Sequence, residues 1–388
     1  MLRAMNDRAA LDLLVAHGPL TRTQLGELTG LSKPTASQLL SRLAAAGLVR
    51  ATGTATGRPG PNAQLYEINA TIAHVAALSV DPLGVTAVVA DLAGTVVGEH
   101  RLLADAMADG VRDRTSTVVV EAVDGALRAA GLGRDALHRT VIGTPGALDP
   151  RTGALRYAPH LPGWQSRTVR EDLTAALGTP VVIENDVNLV ALAEHDRGTA
   201  QDFDNFVLVW ADEGVGAAIV LDGALLRGAT GGAGEIGYMP LPGAPLAREA
   251  ETFARPDAGG GFQRLASSPA VLALAEAHGI SARDAPGALA EALVTPGAGD
   301  AVLAELAHRL ATGIASVIAV VDPELVVLSG EVAQAGGERL LSLVQQELTG
   351  LALPRPQLRL SALDGSPILI GALRTALADA RDTVFDTG

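Results

Sequence analysis

The sequence predicts an α/β chain in which a small head of helices and a β-hairpin precedes a larger two-lobed body. Three observations lead there. Residues 20–68 read as two short helices followed by two alternating strands. Strands and helices then recur in two halves of similar order. Charge divides at the same boundary. Residues 1–70 carry seven Lys/Arg and four Asp/Glu, a net +3, while the whole chain is −14, which leaves −17 for residues 71–388.

In the head, Thr21 is placed to cap a first helix whose apolar positions are Leu25 and Leu28. Gly30 suits the turn, because it tolerates positive φ. Ser32 caps a second helix with Pro34 in its first turn, and Leu39, Leu40 and Leu43 form the apolar stripe. Facing outward are Lys33, Thr35, Ser37, Gln38, Ser41 and Arg42. Short hydroxyls, an amide and cations are the groups that read base edges and grip phosphates. Lys33 is the sole lysine of the chain. Gly47 to Arg50 ends the helix and opens a strand, and Gln64 to Ile68 alternates as its partner. Between them Arg58 sits at a Gly- and Pro-rich tip. Helix, helix, hairpin is the order of a winged helix-turn-helix, with Arg58 suited to a phosphate or a minor groove. Ser32, Lys33, Thr35, Ser37, Gln38, Arg42 and Arg58 are the expected DNA-binding set. So small a basic excess calls for paired heads on a palindromic double-stranded site.

The body opens with apolar strands at 75–80 and 86–90, a turn at Asp91–Gly94, and a third strand at 95–100. A helix from about 114 to 130 and short strands at 140–143 and 180–183 complete the first half. The second half begins with the strand 206–210, turns at Glu213–Gly216 and continues at 217–221. Helices near 269–278, 284–294 and 299–321, a strand at 325–330 and a last helix near 369–380 follow. Paired strand–strand–strand–helix–strand halves describe an actin-like layout.

Composition narrows the class. A chain of 388 residues exceeds one core, and 48% hydrophobic content with 3% aromatics implies a core of Ala, Val, Leu and Ile. No uninterrupted apolar run reaches membrane length, and no basic-then-apolar leader opens the chain. Zero cysteines exclude disulfides and thiolate-held metal. A cytoplasmic location with no membrane partner is the expectation.

Two ordered sets of segments are more specific. The first is Gly143-Thr144-Pro145-Gly146 with Asp149, then Leu161-Pro162-Gly163-Trp164, then Ile183-Glu184-Asn185-Asp186-Val187-Asn188. The second is Gly228-Ala229-Thr230-Gly231-Gly232-Ala233-Gly234-Glu235-Ile236-Gly237. With these, residues 71–388 resemble the ROK family of bacterial sugar kinases and sugar-responsive repressors. The head aligns the resemblance with the family's transcriptional regulators. It implies a winged helix-turn-helix over 1–70 and a two-lobed, actin-like, sugar-kinase-like domain. The first lobe spans 71–185, completed by helix 369–388, and the second spans 186–368.

The resemblance also implies a sugar pocket. Asn185 and Asp186 match the family's hydroxyl-binding pair, in which the aspartate is the general base of the kinases. Glu235 adds another acceptor. Tyr238 stands where the family has a zinc-binding histidine, and Gln263 where a glutamate ends the cysteine-rich loop. The implied effector set is Asn185, Asp186, Glu235, Tyr238 and Gln263.

Departures from the family pattern bear on the pocket, through the lost zinc ligands, and on catalysis, through the two turns that follow. Without the histidine or any cysteine, zinc has no ligand set of the family kind. Asp81-Pro82-Leu83-Gly84-Val85 replaces a phosphate turn, and proline removes one of its N–H groups. Asp212 and Glu213 put two carboxylates where a polyphosphate would approach. The expectation is a homo-oligomeric regulator, a dimer or tetramer, that acts as a repressor. It senses a sugar or sugar derivative, with no metal, no cofactor and no enzymatic activity. Two readings stay open beside it. One is a sugar kinase with an added head, and the other is a regulator whose pocket has decayed to an oligomerisation domain.

Overall fold

A computed structural model describes residues 2–55, 63–81, 84–103, 115–156, 161, 164, 166–244, 246 and 260–386. The chain divides into two compact units, one of residues 1–142, 170–183 and 372–388, the other of 143–169 and 184–371.

The head begins with a helix the sequence reading passed over, α1 (Leu2–His17). Its buried residues Asp7, Ala10, Leu11 and Leu14 fall on one helical face. Then come β1 (Leu20–Thr21), α2 (Arg22–Thr29), α3 (Lys33–Ala45), β2 (Val49–Ala55) and β3 (Ala63–Ile68). The strands form a sheet of order β1-β3-β2, with β3 antiparallel to both neighbours. Thr21 and Gln24 make a complete capping box on α2, and Gly30 ends that helix at φ +71°. Ser32 caps α3, which buries Ala36, Leu39, Leu40 and Leu43. Leu28 departs from expectation, being 51% exposed. Gly26 takes the inward place beside Leu25, because a Cβ there would lie only 3.2 Å from the Leu31 carbonyl oxygen. The wing tip with Arg58 lies outside the described residues.

The first body sheet contains β4 (His74–Asp81), β5 (Gly84–Asp91), β6 (Val96–Leu103), β7 (Leu137–Thr144) and a strand β10 (Val181–Asn185). Between β7 and β10 lie a small hairpin, β8 (Ala147–Leu148) with β9 (Leu155–Arg156). The helices of this stretch are α4 (Thr115–Ala130) and α5 (Val169–Leu177). The sheet order is β10-β7-β4-β5-β6.

After α6 (Asp186–Arg197), the second sheet is built from β11 (Phe206–Ala211), β12 (Val215–Leu221), β13 (Ala224–Leu225), β14 (Leu325–Ser329) and β15 (Gln357–Leu360). Its order, β13-β12-β11-β14-β15, repeats that of the first sheet. In each, three antiparallel strands run outward from the first, and two later strands join on the other side. The remaining helices are α7 (Gln263–Ala266), α8 (Ser268–Ala277), α9 (Ala285–Val294), α10 (Ala298–Val321), α11 (Glu331–Leu351, interrupted at Gly337) and α12 (Pro367–Val384). The α/β class and the actin-like repeat are therefore as expected.

Side-chain alternation splits the second sheet's core into two layers. Val207, Val209, Val326 and Leu328 face Leu303, Leu306, Leu310 and Ile314 of α10. Phe206, Leu208, Leu325 and Val327 face Val187, Val190 and Ala191 of α6. Helix α6 thus rides on a sheet buried on both faces. Among the described residues α10 alone is long and apolar enough to cross a membrane, and its apolar stripe is part of this core.

Candidate functional site

On the head, α3 exposes Lys33, Thr35, Gln38, Ser41 and Arg42, with Ser37 half-buried. Their commitments differ. The Thr35 hydroxyl is 2.8 Å from Ser32 Oγ, and Ser41 Oγ donates to the Ser37 carbonyl at 2.9 Å. Arg22 reaches Ser37 Oγ at 3.4 Å. Among the described residues Lys33 and Gln38 engage no partner with their side chains.

Arg42 corrects the sequence reading. Its Nη2 lies 2.6 Å from Asp7 Oδ1, and the Asp7 side chain is only 6% exposed. A buried carboxylate needs its counter-charge, so Arg42 braces α3 against α1 before it can serve DNA. Arg42→Ala is expected to destabilise the head, on the order of 1–3 kcal/mol after allowance for the exposed guanidinium. Thermal melts check this. The double variant Arg42→Met with Asp7→Leu should recover most of the loss, and failure to recover it would show that the pair is not the cause.

In the body, β10 runs into α6 through Asn185. Its Oδ1 accepts from the Asn188 N–H at 3.0 Å and caps the helix, while its Nδ2 donates to the Gly146 carbonyl at 3.0 Å. The amide thus ties the Gly143–Gly146 segment to the start of α6, and only one N–H and one lone pair remain for a ligand. Behind it stands Glu184, to which sequence reasoning assigned no role. Glu184 Oε1 accepts from the Asn185 N–H at 3.0 Å and Asn188 Nδ2 at 2.9 Å. Its Oε2 takes Arg227 Nε at 2.9 Å and Nη2 at 2.8 Å. Glu184 neutralises Arg227 and aligns Asn185. Neither role had a signal in the sequence beyond Glu184's place in the motif.

Asp186 accepts from the Val187 N–H at 2.8 Å. Burial outweighs that bond and raises its pKa to about 6, with the charge of Asp212 adding to the rise. Glu235 precedes the single turn Ile236–Tyr238, and burial together with Asp186 raises it to about 7. With both pKa values raised toward neutrality, the two carboxyls can accept and, when protonated, donate. That combination suits vicinal hydroxyls, each of which is donor and acceptor. The glycine-rich run places Glu235 here. At Gly234, φ is +94° and a Cβ would lie 2.0 Å from the Ala217 carbonyl oxygen.

Both shifts act on stability with one sign. A carboxyl with a raised folded pKa keeps its proton where the unfolded chain has lost it. Its contribution is complete below about pH 4 and declines as pH climbs through 6 to 7. Unfolding free energy is expected to fall as pH rises from about 4 to about 7, by at most about 1.4 kcal/mol per pH unit per group, and melts across that range read it. The fall should be shallower in Asp186→Asn. An equal slope in that variant would remove Asp186 from the account.

One further expectation changes. Gln263 does not present a free amide: its Oε1 accepts from the Val215 N–H at 2.7 Å, and its Nε2 donates to the Glu213 carbonyl at 2.9 Å. It clamps a backbone turn. Asp149 likewise holds its own turn, accepting from the Arg151 N–H at 2.9 Å and pairing with Arg156 at 2.8 Å. Tyr238 is 37% exposed. Pro82 and Leu83 of the altered phosphate turn lie outside the described residues.

With this geometry in place, comparisons with known proteins give a consistent picture. A family model described as ROK family matches residues 82–376, and one described as MarR family matches 6–58. A putative xylose repressor of Caldicellulosiruptor sp. strain Rt8B.4 is 22% identical, over 98% of this chain and 97% of its own. A glucokinase of Halalkalibacterium halodurans is 30% identical, over 66% of this chain and 81% of its own. Among solved structures, a ROK family transcriptional regulator described as a homologue of the Escherichia coli MLC protein superposes with a TM-score of 0.76. It is 22% identical, and both chains are covered completely.

Proposed function

The chain belongs to the ROK family, and from that membership we propose that it is a DNA-binding transcriptional repressor whose body senses a sugar. One observation carries the reading. Asp186 and Glu235 act on one another electrostatically in a chain that also bears a winged head with Lys33 and Gln38 uncommitted among the described residues. The repressor relative, matched from end to end, supports the same combination.

In this reading Gln38 and Ser37 read bases, and Lys33 with Arg58 grips phosphates. Two copies of the head engage half-sites about one helical turn or its multiples apart, so the protein acts as a dimer or tetramer in the cytoplasm. Asp186, Glu235 and the remaining valences of Asn185 hold sugar hydroxyls. The effector then shifts DNA binding by as much as it prefers one conformation of the body over the other.

Zinc of the family kind does not fit, because Tyr238 offers no imidazole and the chain has no cysteine. ATP does not fit either, with Asp212 and Glu213 at the second turn. A kinase reading is favoured by the retained Asp186 and by the glucokinase match. Incubation with labelled ATP and a panel of hexoses separates the two. Label transfer to any hexose would overturn the regulator without catalysis. Footprinting should show a two-fold symmetric site, and full affinity for a single half-site would count against paired heads.

A further inference from the structure

The basic groups of the head sort by what already holds them. Asp7 pairs with Arg42 at 2.6 Å, Asp12 with Arg8 at 2.9 Å and Glu67 with Arg50 at 2.7 Å. Three of the four acids in residues 1–70 thus sit on arginines. Among the described residues, Arg3, Arg22 and Lys33 are left without a carboxylate partner.

Arg22 is the first residue of α2, and it is exposed. Its Nη1 donates to Ser37 Oγ, 15 positions on in α3, at 3.4 Å. Helix packing explains the meeting. A Cβ built on Gly26 would lie 3.7 Å from the Ala36 Cβ, so α2 and α3 approach closely there. Arg22 stands one turn before Gly26 on the same face of α2, and Ser37 follows Ala36. On α3, Lys33, Ser37 and Ser41 recur every four residues and form one stripe, with Lys33 and Ser41 exposed. The Arg22 guanidinium therefore reaches the middle of that stripe.

A guanidinium carries five N–H donors in a planar fork, and Ser37 engages one of them. Those left include the N–H of Nε and one of Nη2, an edge that can meet two oxygens of a phosphate. The Ser37 hydroxyl keeps its hydrogen, because the Arg22 donor occupies only a lone pair of the oxygen.

We infer that Arg22 is a DNA-contacting residue that bridges Ser37 to a backbone phosphate. One edge of its guanidinium grips the phosphate while Nη1 holds the Ser37 hydroxyl. The hydroxyl hydrogen then donates to an acceptor on a base edge in the major groove: a purine N7, a guanine O6 or a thymine O4. Phosphate contact and base reading are coupled through a single side chain. The assignment rests on the DNA-binding reading of the head given above.

The test uses the full chain with a mixed-sequence DNA duplex as the probe, read by fluorescence anisotropy over about 0.05–0.2 M salt. The affinity of the native protein should fall as salt rises. Arg22→Ala should lower the slope of log affinity against log salt by about one for each head engaged. Arg283→Ala removes the same charge from an exposed site in the body and should leave the slope as it is. Native binding with an unchanged slope in Arg22→Ala, or an equal fall in Arg283→Ala, would overturn the assignment and leave the repressor reading standing. A native chain that binds no DNA overturns both. Should Arg22→Ala fail to fold, Arg22→Gln removes the charge while keeping an amide donor, and the same fall in slope is expected from it.

Duplexes enriched by the native chain from a random-sequence pool test the bridge itself. Arg22→Lys keeps the charge and the salt slope, but an ammonium has no planar fork to hold phosphate and Ser37 together. Its preference for enriched over mixed-sequence DNA should narrow by roughly two- to tenfold, as should that of Ser37→Ala. Because the two residues act as a unit, the double variant should narrow it no further. Full preference in Arg22→Lys, or additive losses in the double variant, would be decisive against the bridge.

Discussion

Asp186→Ala is expected to abolish the response to effector while leaving operator binding by the unliganded protein intact. The carboxylate sits at the first position of α6, with one oxygen held by the Val187 N–H. Hydroxyl bonds to a charged acceptor contribute roughly 1.5–3 kcal/mol each. Losing two would weaken effector affinity by a factor on the order of 10² to 10⁴. In the proposed function DNA binding belongs to the winged head, where the MarR-type match covers residues 6–58, so the operator complex should survive and become insensitive to ligand. The substitution should also leave the fold as stable at pH 8 as before, or more so, because Asp186 is held charged there against the cost of burial. The pKa of Glu235, raised in part by Asp186, should move back toward the ordinary carboxylate range. Titration by NMR reads the last effect, and gel shifts with and without effector read the first. Full effector response in the variant, or loss of operator binding with the fold intact, would refute the pocket assignment.

Gly234→Ala is expected to cost more stability than any other single change in the glycine-rich run, on the order of 3–5 kcal/mol. Two penalties combine. The backbone is at φ +94°, and the new Cβ would meet the Ala217 carbonyl oxygen at 2.0 Å, a backbone atom of β12 that cannot swing aside. The contact is held by the Ala217 N–H, which donates to the Gly234 carbonyl at 2.8 Å. Displacing this segment moves Glu235, so effector binding should be lost as well. Gly243→Ala is the matched control. Its φ is +89° with nothing within 4 Å of the added carbon, so only the conformational cost of roughly 1–2 kcal/mol remains. Similar melting temperatures for the two variants would show that the close approach to β12 does not matter.

Much of this was legible in the residues. Helix caps and the strand pattern depend on neighbours three or four positions away, or on alternation, so Thr21, Ser32 and the strands of both sheets could be read directly. The order of the two motif runs identified the family and brought Asn185, Asp186 and Glu235 to attention. The misses have a different character. Leu28 looks like a core position on a helical wheel, but the chain packs α2 through Leu25 and Gly26 instead. Helix α1 was overlooked although Ala10, Leu11 and Leu14 mark one face, because charged residues interrupt it on every turn.

What the sequence by itself determined is therefore the local conformation, the fold class and the types of group at each site. The tertiary structure alone decided which of those groups are free. Arg42 reads as a DNA contact until Asp7, 35 positions away, is found against it. Gln263 reads as a ligand contact until its amide is found closed on a turn 48 residues earlier. Glu184 has no visible role until Arg227 arrives from 43 positions downstream. The physical reason is common to all three. A polar side chain removed from water must find a partner, and which partner lies within 3 Å is set by how distant elements pack.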